Sequence, residues 1–482
     1  MKEINEISKK SEYINKEKNI KKELWVFFDE INTCLSLSLL TEIFINRTFN
    51  GEKLEKNIRL IGACNSYRRR VFGAEKCGLT REDDKDNDLV YKVEQLPQSL
   101  LYYVFSFGTI QDSDEKKYIK SIIQKLFTKE EENMNKLTTK AISKCHIFLR
   151  KIFKDLSIVS LREIARFRKC VEFFQNYFIY KSNKKLYSIN SIDDETKKLY
   201  KIKSIICSIY LCYYIRLINE EIRGKFDSEL QKTILKIVNV YSNEKADEED
   251  KRNLSDKIRN KKLKEELDKK NIDHFSDLLR IEEEFLLKQI ELDPGIGKNE
   301  SLKENLFLLF LAVITKIPLI IVGKPGTGKS LRAQLIYDSM RWIYSKNEFF
   351  KNYPSIIQIY FQGSESTDPE DFTEVFRKAG NLYENFKRNK NINDKVPIFM
   401  ILFDELGLAE KSSINPLKVL HYKLEYDGKN EGVCFVGISN YSLDAAKINR
   451  ALSLSVPNLE DQLDQLKATS KSIVESISKE IF

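Results

Sequence analysis

IPLIIVGKPGTGKSLRAQLIYDSM, residues 317–340, is the stretch whose reading decides the fold. Leu319 to Val322 are four consecutive apolar residues, which predicts a buried strand. Gly323, Lys324, Pro325, Gly326, Thr327, Gly328, Lys329 and Ser330 then match G-x-x-x-x-G-K-S, a turn that depends on glycine. Leu331 to Met340 has helical spacing. Strand, glycine-rich turn and helix in that order are the setting of a phosphate-binding loop. The inward backbone N–H groups and the positive end of the helix together cradle an anion. Lys329 is expected to reach the β- and γ-phosphates of ATP, and the Ser330 hydroxyl to hold Mg²⁺. The bland alternative is a glycine-rich strand–helix turn with no ligand.

The loop needs partners, and the downstream sequence supplies candidates. Asn305 to Thr315 is predicted as a helix under the loop strand, and Ser355 to Gln362 as a second strand ending in the polar loop 363–370. Ile398 to Phe403 is an apolar run ending in Asp404-Glu405, about 75 residues past Lys329. This is the Walker B pattern, with Asp404 for the Mg²⁺ shell and Glu405 to orient the attacking water. Val433 to Ser439 is a further buried strand tipped by Asn440. In ring ATPases of the AAA+ class such an Asn is sensor 1, which contacts the γ-phosphate or the water. Arg450 follows a short helix, where those rings place an arginine finger; the alternative is a helix C-terminal cation favoured by the dipole. His421, within PLKVLHYKLEY, reads as packing.

The first part of the chain repeats half of this pattern. Leu24 to Phe28 leads into Asp29-Glu30, a second Walker B, and Ile58 to Cys64 leads into Asn65, a second sensor 1. Leu89 to Pro97 reads as one more strand and a turn, followed by amphipathic helices to about residue 180. Ser160 with Glu163 three residues later is a capping box. Arg162 sits where a sensor 2 arginine would, or is a solvated helix charge. No G-x-x-x-x-G-K-[ST] precedes Trp25, so the chain is expected to be a piece of a longer protein; the alternative is a module that never binds nucleotide by itself.

Bulk properties bound the rest. At 482 residues, with 42% hydrophobic and 32% charged residues, the chain is globular and holds more than one domain. The net charge of +9 is spread among acidic residues and forms no basic block, so nucleic acid is not the expected partner. Eight Cys without a C-x-x-C pair, and three His, leave no zinc ribbon, finger or RING. Cys34, Cys64 and Cys434 lie in apolar stretches and read as buried small hydrophobes. Reduced thiols fit a cytosolic or nuclear protein, and a cytoplasmic location is the expectation. The leader 1–22 has no apolar core of a signal peptide, and Leu306 to Val322 is too interrupted for a membrane span. Cys207 to Ile218 is expected to be one buried helix, and Lys245 to Lys270 a solvated helix or linker.

The combination FFDEINTC, IGACNSYRRR, DLVYKVEQLP, VSLREIAR, IPLIIVGKPGTGKSLRAQ, ILFDELGLAE, NPLKVLH and VGISNYSLDAAKINR resembles the mysterin family of giant dynein-like AAA+ proteins with a RING-type ubiquitin ligase. The resemblance covers the two ATPase-like blocks and implies the third and fourth modules of a six-module ring. Asp29, Glu30, Asn65 and Arg162 would then serve an incomplete third site. Lys329, Ser330, Asp404, Glu405 and Asn440 would serve the fourth, with Arg450 facing the third module's nucleotide. Partners implied are ATP, neighbouring AAA+ modules and, through regions outside this chain, ubiquitin machinery.

The expected fold is α/β. Two AAA+ P-loop-type parallel sheets flanked by helices are separated by a long helical region, and both modules are incomplete. The expected divisions are a polar leader (1–22), part of a first α/β subdomain (23–95), a helical lid (96–180), a helical insert (181–298), a second α/β subdomain (299–460) and a helical tail without its lid (461–482). The leading expectation is an ATP-binding and ATP-hydrolysing core segment without ligase activity of its own. The alternative is a scaffold that binds nucleotide without hydrolysing it.

Overall fold

The computed structural model describes residues 23–34, 36–69, 89–182, 193–240, 258, 261–269, 272–293, 295–389, 395–412, 414–424, 432–456, 466–467 and 469–474. The leader 1–22 and most of the charged run 245–270 lie outside the described residues. The chain divides into two compact units, residues 1–72 with 81–110, and residues 73–80 with 111–482.

In the first unit, strand β1 (Leu24–Phe28) pairs in parallel with β4 (Ile58–Gly62), and β2 (Thr48–Phe49) forms a small antiparallel ribbon with β3 (Glu52–Lys53). The two-residue period of a strand sends Leu24, Val26 and Phe28 toward Ile43, Leu54 and Ile58. Trp25 and Phe27 point the other way and stay 64% and 63% exposed. Parallel strands are normally covered on both faces, so this pair is half of a layer. The strand expected over Leu89–Pro97 is not formed. Leu89 makes one bridge to Arg69, and Val90 and Glu94 give their N–H groups to Arg68 and Asn32, which belong to no common ladder. Cys434 is buried as expected, but Cys34 is half-buried and Cys64 exposed, because β4 is an edge strand among the described residues.

The second unit begins with helices α1 (Asp112–Ile123), α2 (Glu132–Phe153), α3 (Leu161–Ser182), α4 (Asp194–Ile209), α5 (Glu220–Val238) and α6 (Asp277–Gln289). Asp193 caps α4 through the N–H of Thr196, and Asn219 caps α5 through those of Glu221 and Ile222. The apolar run Cys207 to Ile218 does not continue as one α-helix. It widens to a π turn over Tyr210–Tyr214, which buries all five side chains. Helix α7 (Glu300–Thr315) ends on Lys316 in the left-handed conformation and turns the chain into β5 (Leu319–Val322).

Strands β5, β6 (Ile356–Gln362), β7 (Ile398–Asp404), β8 (Val433–Ser439) and β9 (Leu452–Ser455) form one parallel sheet in the order β6-β7-β8-β5-β9. One face packs on the helices α1–α7 in a single continuous core. The other packs on α9 (Pro369–Asn389) and on Leu406, Leu417 and Leu420, while α8 (Lys329–Ser339) follows the glycine-rich turn. This order puts β8 between the loop strand and the acidic strand, so their C-terminal tips converge on one crevice. No helix of the described residues is long and apolar enough to cross a membrane.

A buried polar cluster ties α1 to α2. His146 Nδ1 lies 2.9 Å from Glu115 Oε1, Arg150 donates to both Glu115 oxygens at 2.7 Å, and His146 Nε2 is 3.1 Å from the Tyr213 hydroxyl. Burial works to raise the Glu115 carboxyl, but His146 and Arg150 outweigh it and hold it at about 2, from an ordinary 4.5. A carboxylate depressed on folding stabilises fully above its unfolded value and ceases to do so as pH falls through its folded one. Urea unfolding should therefore lose about 2–3 kcal/mol on this account between pH 4.5 and 2, and Glu115→Gln should remove that part of the acid dependence.

Candidate functional site

The turn after β5 is open to solvent at Lys324, Pro325 and Gly326. Gly326 and Gly328 take φ of +79° and +74°, a region in which a side chain is strained. Gly328 caps α8, so the first N–H groups of that helix face the turn. Lys329 is buried and folds back over the loop. Its Nζ donates to the carbonyls of Gly323 and Lys324 at 2.8 Å each, and to Asn440 Oδ1 at 2.7 Å. Arg332, one turn into α8 and 5% exposed, donates to the Thr327 carbonyl and braces the loop from below. Burial pulls its guanidinium down to about 10.

Asp404 ends β7. Its Oδ2 lies 3.5 Å from Ser330 Oγ and 3.5 Å from the Tyr360 hydroxyl, and its Oδ1 accepts the Glu405 N–H at 2.9 Å. Two hard oxygens, an alcohol and a carboxylate, thus face one exposed point beside the loop, a donor set suited to Mg²⁺. Glu405 is held in the left-handed conformation at φ 55°, ψ 39°. A non-glycine residue there costs roughly 1–3 kcal/mol and persists only when its surroundings enforce it. Gly363 is part of that enforcement. Its N–H donates to the Asp404 carbonyl at 2.8 Å, and a Cβ at 363 would stand 2.8 Å from the Glu405 carbonyl oxygen. Asn440 Nδ2 then donates to Glu405 Oε1 at 2.7 Å. Lys329, Asn440 and Glu405 form one hydrogen-bonded line across the tips of three strands.

The first unit carries the same half of this arrangement. Phe28 pairs with Gly62 as Phe403 pairs with Gly437, and the same number of residues separates Asp29 from Asn65 as Asp404 from Asn440. Glu30 is left-handed too, at φ 51°, ψ 51°, and Asn65 Nδ2 lies 3.5 Å from Glu30 Oε1. No counterpart of the glycine-rich loop stands among the unit's described residues.

The two arginines stand elsewhere. Arg162 is exposed in the first turn of α3, with its N–H on Ser160 Oγ. The expected capping box is formed on its glutamate side, where Glu163 Oε2 accepts the Ser160 N–H at 2.8 Å. Arg450 is 8% exposed, and its Nη1 donates to the His421 carbonyl at 3.0 Å. The guanidinium is enclosed in the turn before β9, where its charge meets a backbone carbonyl. Lys329, Asn440 and Glu405 were readable from motif and spacing. Tyr360 was not singled out, although its alternation along β6 places it near Asp404; burial and then the Asp404 and Glu405 carboxylates raise its phenol above the ordinary value. Glu410 and Lys447 were also missed as a pair. They meet at 3.1 Å with side chains 2% and 7% exposed, joining the turn after β7 to the turn after β8. Among the described residues no three His, Cys, Asp or Glu side chains converge as a metal cluster.

A family model described as the RNF213 AAA domain matches residues 295–462. The chain is similar to the E3 ubiquitin-protein ligase RNF213 of Mus musculus (29% identical over 93% of this chain) and of Homo sapiens (29% over 93%). It is also similar to E3 ubiquitin-protein ligase rnf213-beta of Danio rerio, 30% identical over 89% of this chain. The chain spans 8% of the length of each of these relatives.

Removing one partner of a buried ion pair leaves the other charge uncompensated. Lys447→Met should therefore lower the unfolding free energy by about 3–5 kcal/mol in urea titration, with much of the loss recovered by adding Glu410→Gln.

Proposed function

For a chain whose AAA segment belongs to the RNF213 (mysterin) family, we propose that the crevice at the tips of β5, β7 and β8 binds Mg²⁺·ATP and hydrolyses it. The observation that carries this reading is the convergence of Lys329, Ser330, Asp404, Glu405 and Asn440 on one open turn. In the complex the Lys329 ammonium leaves the carbonyls of Gly323 and Lys324 for the β- and γ-phosphate oxygens. Ser330 Oγ and Asp404 Oδ2 are the oxygens to hold Mg²⁺, which when bound would offset charge on the triphosphate. Glu405 orients the water for in-line attack, and Asn440 donates to the γ-phosphate or the water.

The ligase activity in the relatives' names belongs to those proteins. We assign this chain an ATPase core, working with neighbouring AAA+ modules of a longer protein in the cytoplasm. Its partnership with ubiquitin machinery runs through regions outside this chain. The second reading, a scaffold that binds without turnover, draws support from one contact: Asn440 engages both Lys329 and Glu405, a resting arrangement that ATP must break.

Asp29, Glu30 and Asn65 are proposed as half of a further nucleotide site. By analogy with β5 on β8, a loop strand would add in parallel to the edge of β4 that no described strand occupies. A longer chain that supplies such a strand should then bind two nucleotides, against one here; one in both contradicts this half-site.

For the main site, Lys329→Ala should weaken binding of a fluorescent ATP analogue at least tenfold. Glu405→Gln should leave binding intact and reduce phosphate release about 100-fold. Tight binding with phosphate release at background in both wild type and Glu405→Gln supports the scaffold instead.

A further inference from the structure

The connector from β8 to β9 starts at Asn440 and ends beside the loop strand, since β8 and β9 are the two neighbours of β5. It is pinned along its length. Glu410 Oε1 accepts from the Asp444 N–H at 3.0 Å and from Lys447 Nζ at 3.1 Å, and His421 holds Arg450. The remaining pins come from the helical region. Asn449 Nδ2 donates to the Ser157 carbonyl at 2.8 Å, and Arg166 Nη2 donates to the Asn449 carbonyl at 2.7 Å.

Arg166 is shaped for that contact. It is 1% exposed, and its other arm, Nη1, lies 3.1 Å from Glu163 Oε1, itself 3.6 Å from Arg216 Nη1. Arg216 in turn donates to the Ile158 carbonyl at 3.0 Å, next to Ser157. A planar guanidinium held on one side by a carboxylate presents its second edge at a set angle, and such charge-assisted bonds are the strong ones. The VSLREIAR and KINR phrases, distant in sequence, are thereby two halves of one contact.

We propose that Arg166 and Asn449 are positioning residues of the ATP site, through which the helices α2–α3 and the catalytic Asn440 and Glu405 sense one another. The proposal rests on the nucleotide-binding reading above. A connector pinned at both ends cannot absorb a displacement of Asn440 toward phosphate, so the shift passes to Asn449 and on to Ser157 and Arg166. By linkage, a displacement of α3 changes ATP affinity by the same factor.

The test uses the full chain, a fluorescent ATP analogue and backbone amide exchange. In wild type, Mg²⁺·ATP should slow exchange about fivefold or more both at 440–451 and at 155–170. Asn449→Ala loses the bond to Ser157 and keeps the carbonyl; it should bind the analogue more weakly than wild type and, at saturating analogue, keep protection at 440–451 but lose it at 155–170. Arg166→Lys, which keeps the charge and gives up the fork, should do the same. Wild type that binds ATP without any change at 155–170 overturns the proposal whatever the variants do. So does full protection there in Asn449→Ala. Failure of wild type to bind the analogue is read separately in the fluorescence, and removes the ATP site itself.

Discussion

Asn440 bridges Lys329 and Glu405 with two hydrogen bonds of 2.7 Å, and much else in the second unit exists to make that bridge possible. Lys329 opens the helix after β5, and Glu405 and Asn440 directly follow β7 and β8; the three side chains meet because β8 lies between β5 and β7. Parallel pairing aligns all the C-terminal tips at one edge, and the short turns there project polar groups into a common crevice. Against solvent on one side, the core on both faces of the sheet holds those tips still. A positive ammonium and a carboxylate share one amide across the crevice; on the proposed reading the first receives phosphate and the second orients water.

The left-handed glutamate is the second constraint. At both Glu30 and Glu405 the chain leaves an acidic strand through a conformation unfavourable for a side chain. In the second unit the surroundings that enforce it are visible: the Asp404 carboxylate on the Glu405 N–H, the close pass of Gly363, and Asn440 on the glutamate oxygen. In the first unit the same backbone persists with a looser Asn65 contact of 3.5 Å. The two strand pairs share one register, Phe28 on Gly62 and Phe403 on Gly437.

Much of this was legible in the amino-acid order, for physical reasons. Buried parallel strands read as unbroken apolar runs, so β5, β7 and β8 announced themselves, and glycine at 326 and 328 declared a turn that other residues strain to make. Asp404, Glu405 and Asn440 were readable because each sits just past the end of such a run. What was not legible depends on contacts between distant segments. Nothing local in LDAAKINR says that Lys447 meets Glu410, or that Asn449 meets Arg166 and Ser157. Arg450 had a motif's position, yet packing turned it inward to the His421 carbonyl. Leu89 to Pro97 had the composition of a strand, but Val90 and Glu94 find backbone partners on separate segments. The π turn at Tyr210–Tyr214 likewise answers to the core it fills.

The most direct test of the account is a structure of the chain with Mg²⁺ and a non-hydrolysable ATP analogue. The account predicts the triphosphate on the turn 323–330, with Lys329 Nζ moved from Asn440 to phosphate oxygens and the metal at Ser330 and Asp404. A triphosphate bound elsewhere, with Lys329 still on Gly323, Lys324 and Asn440, would contradict it.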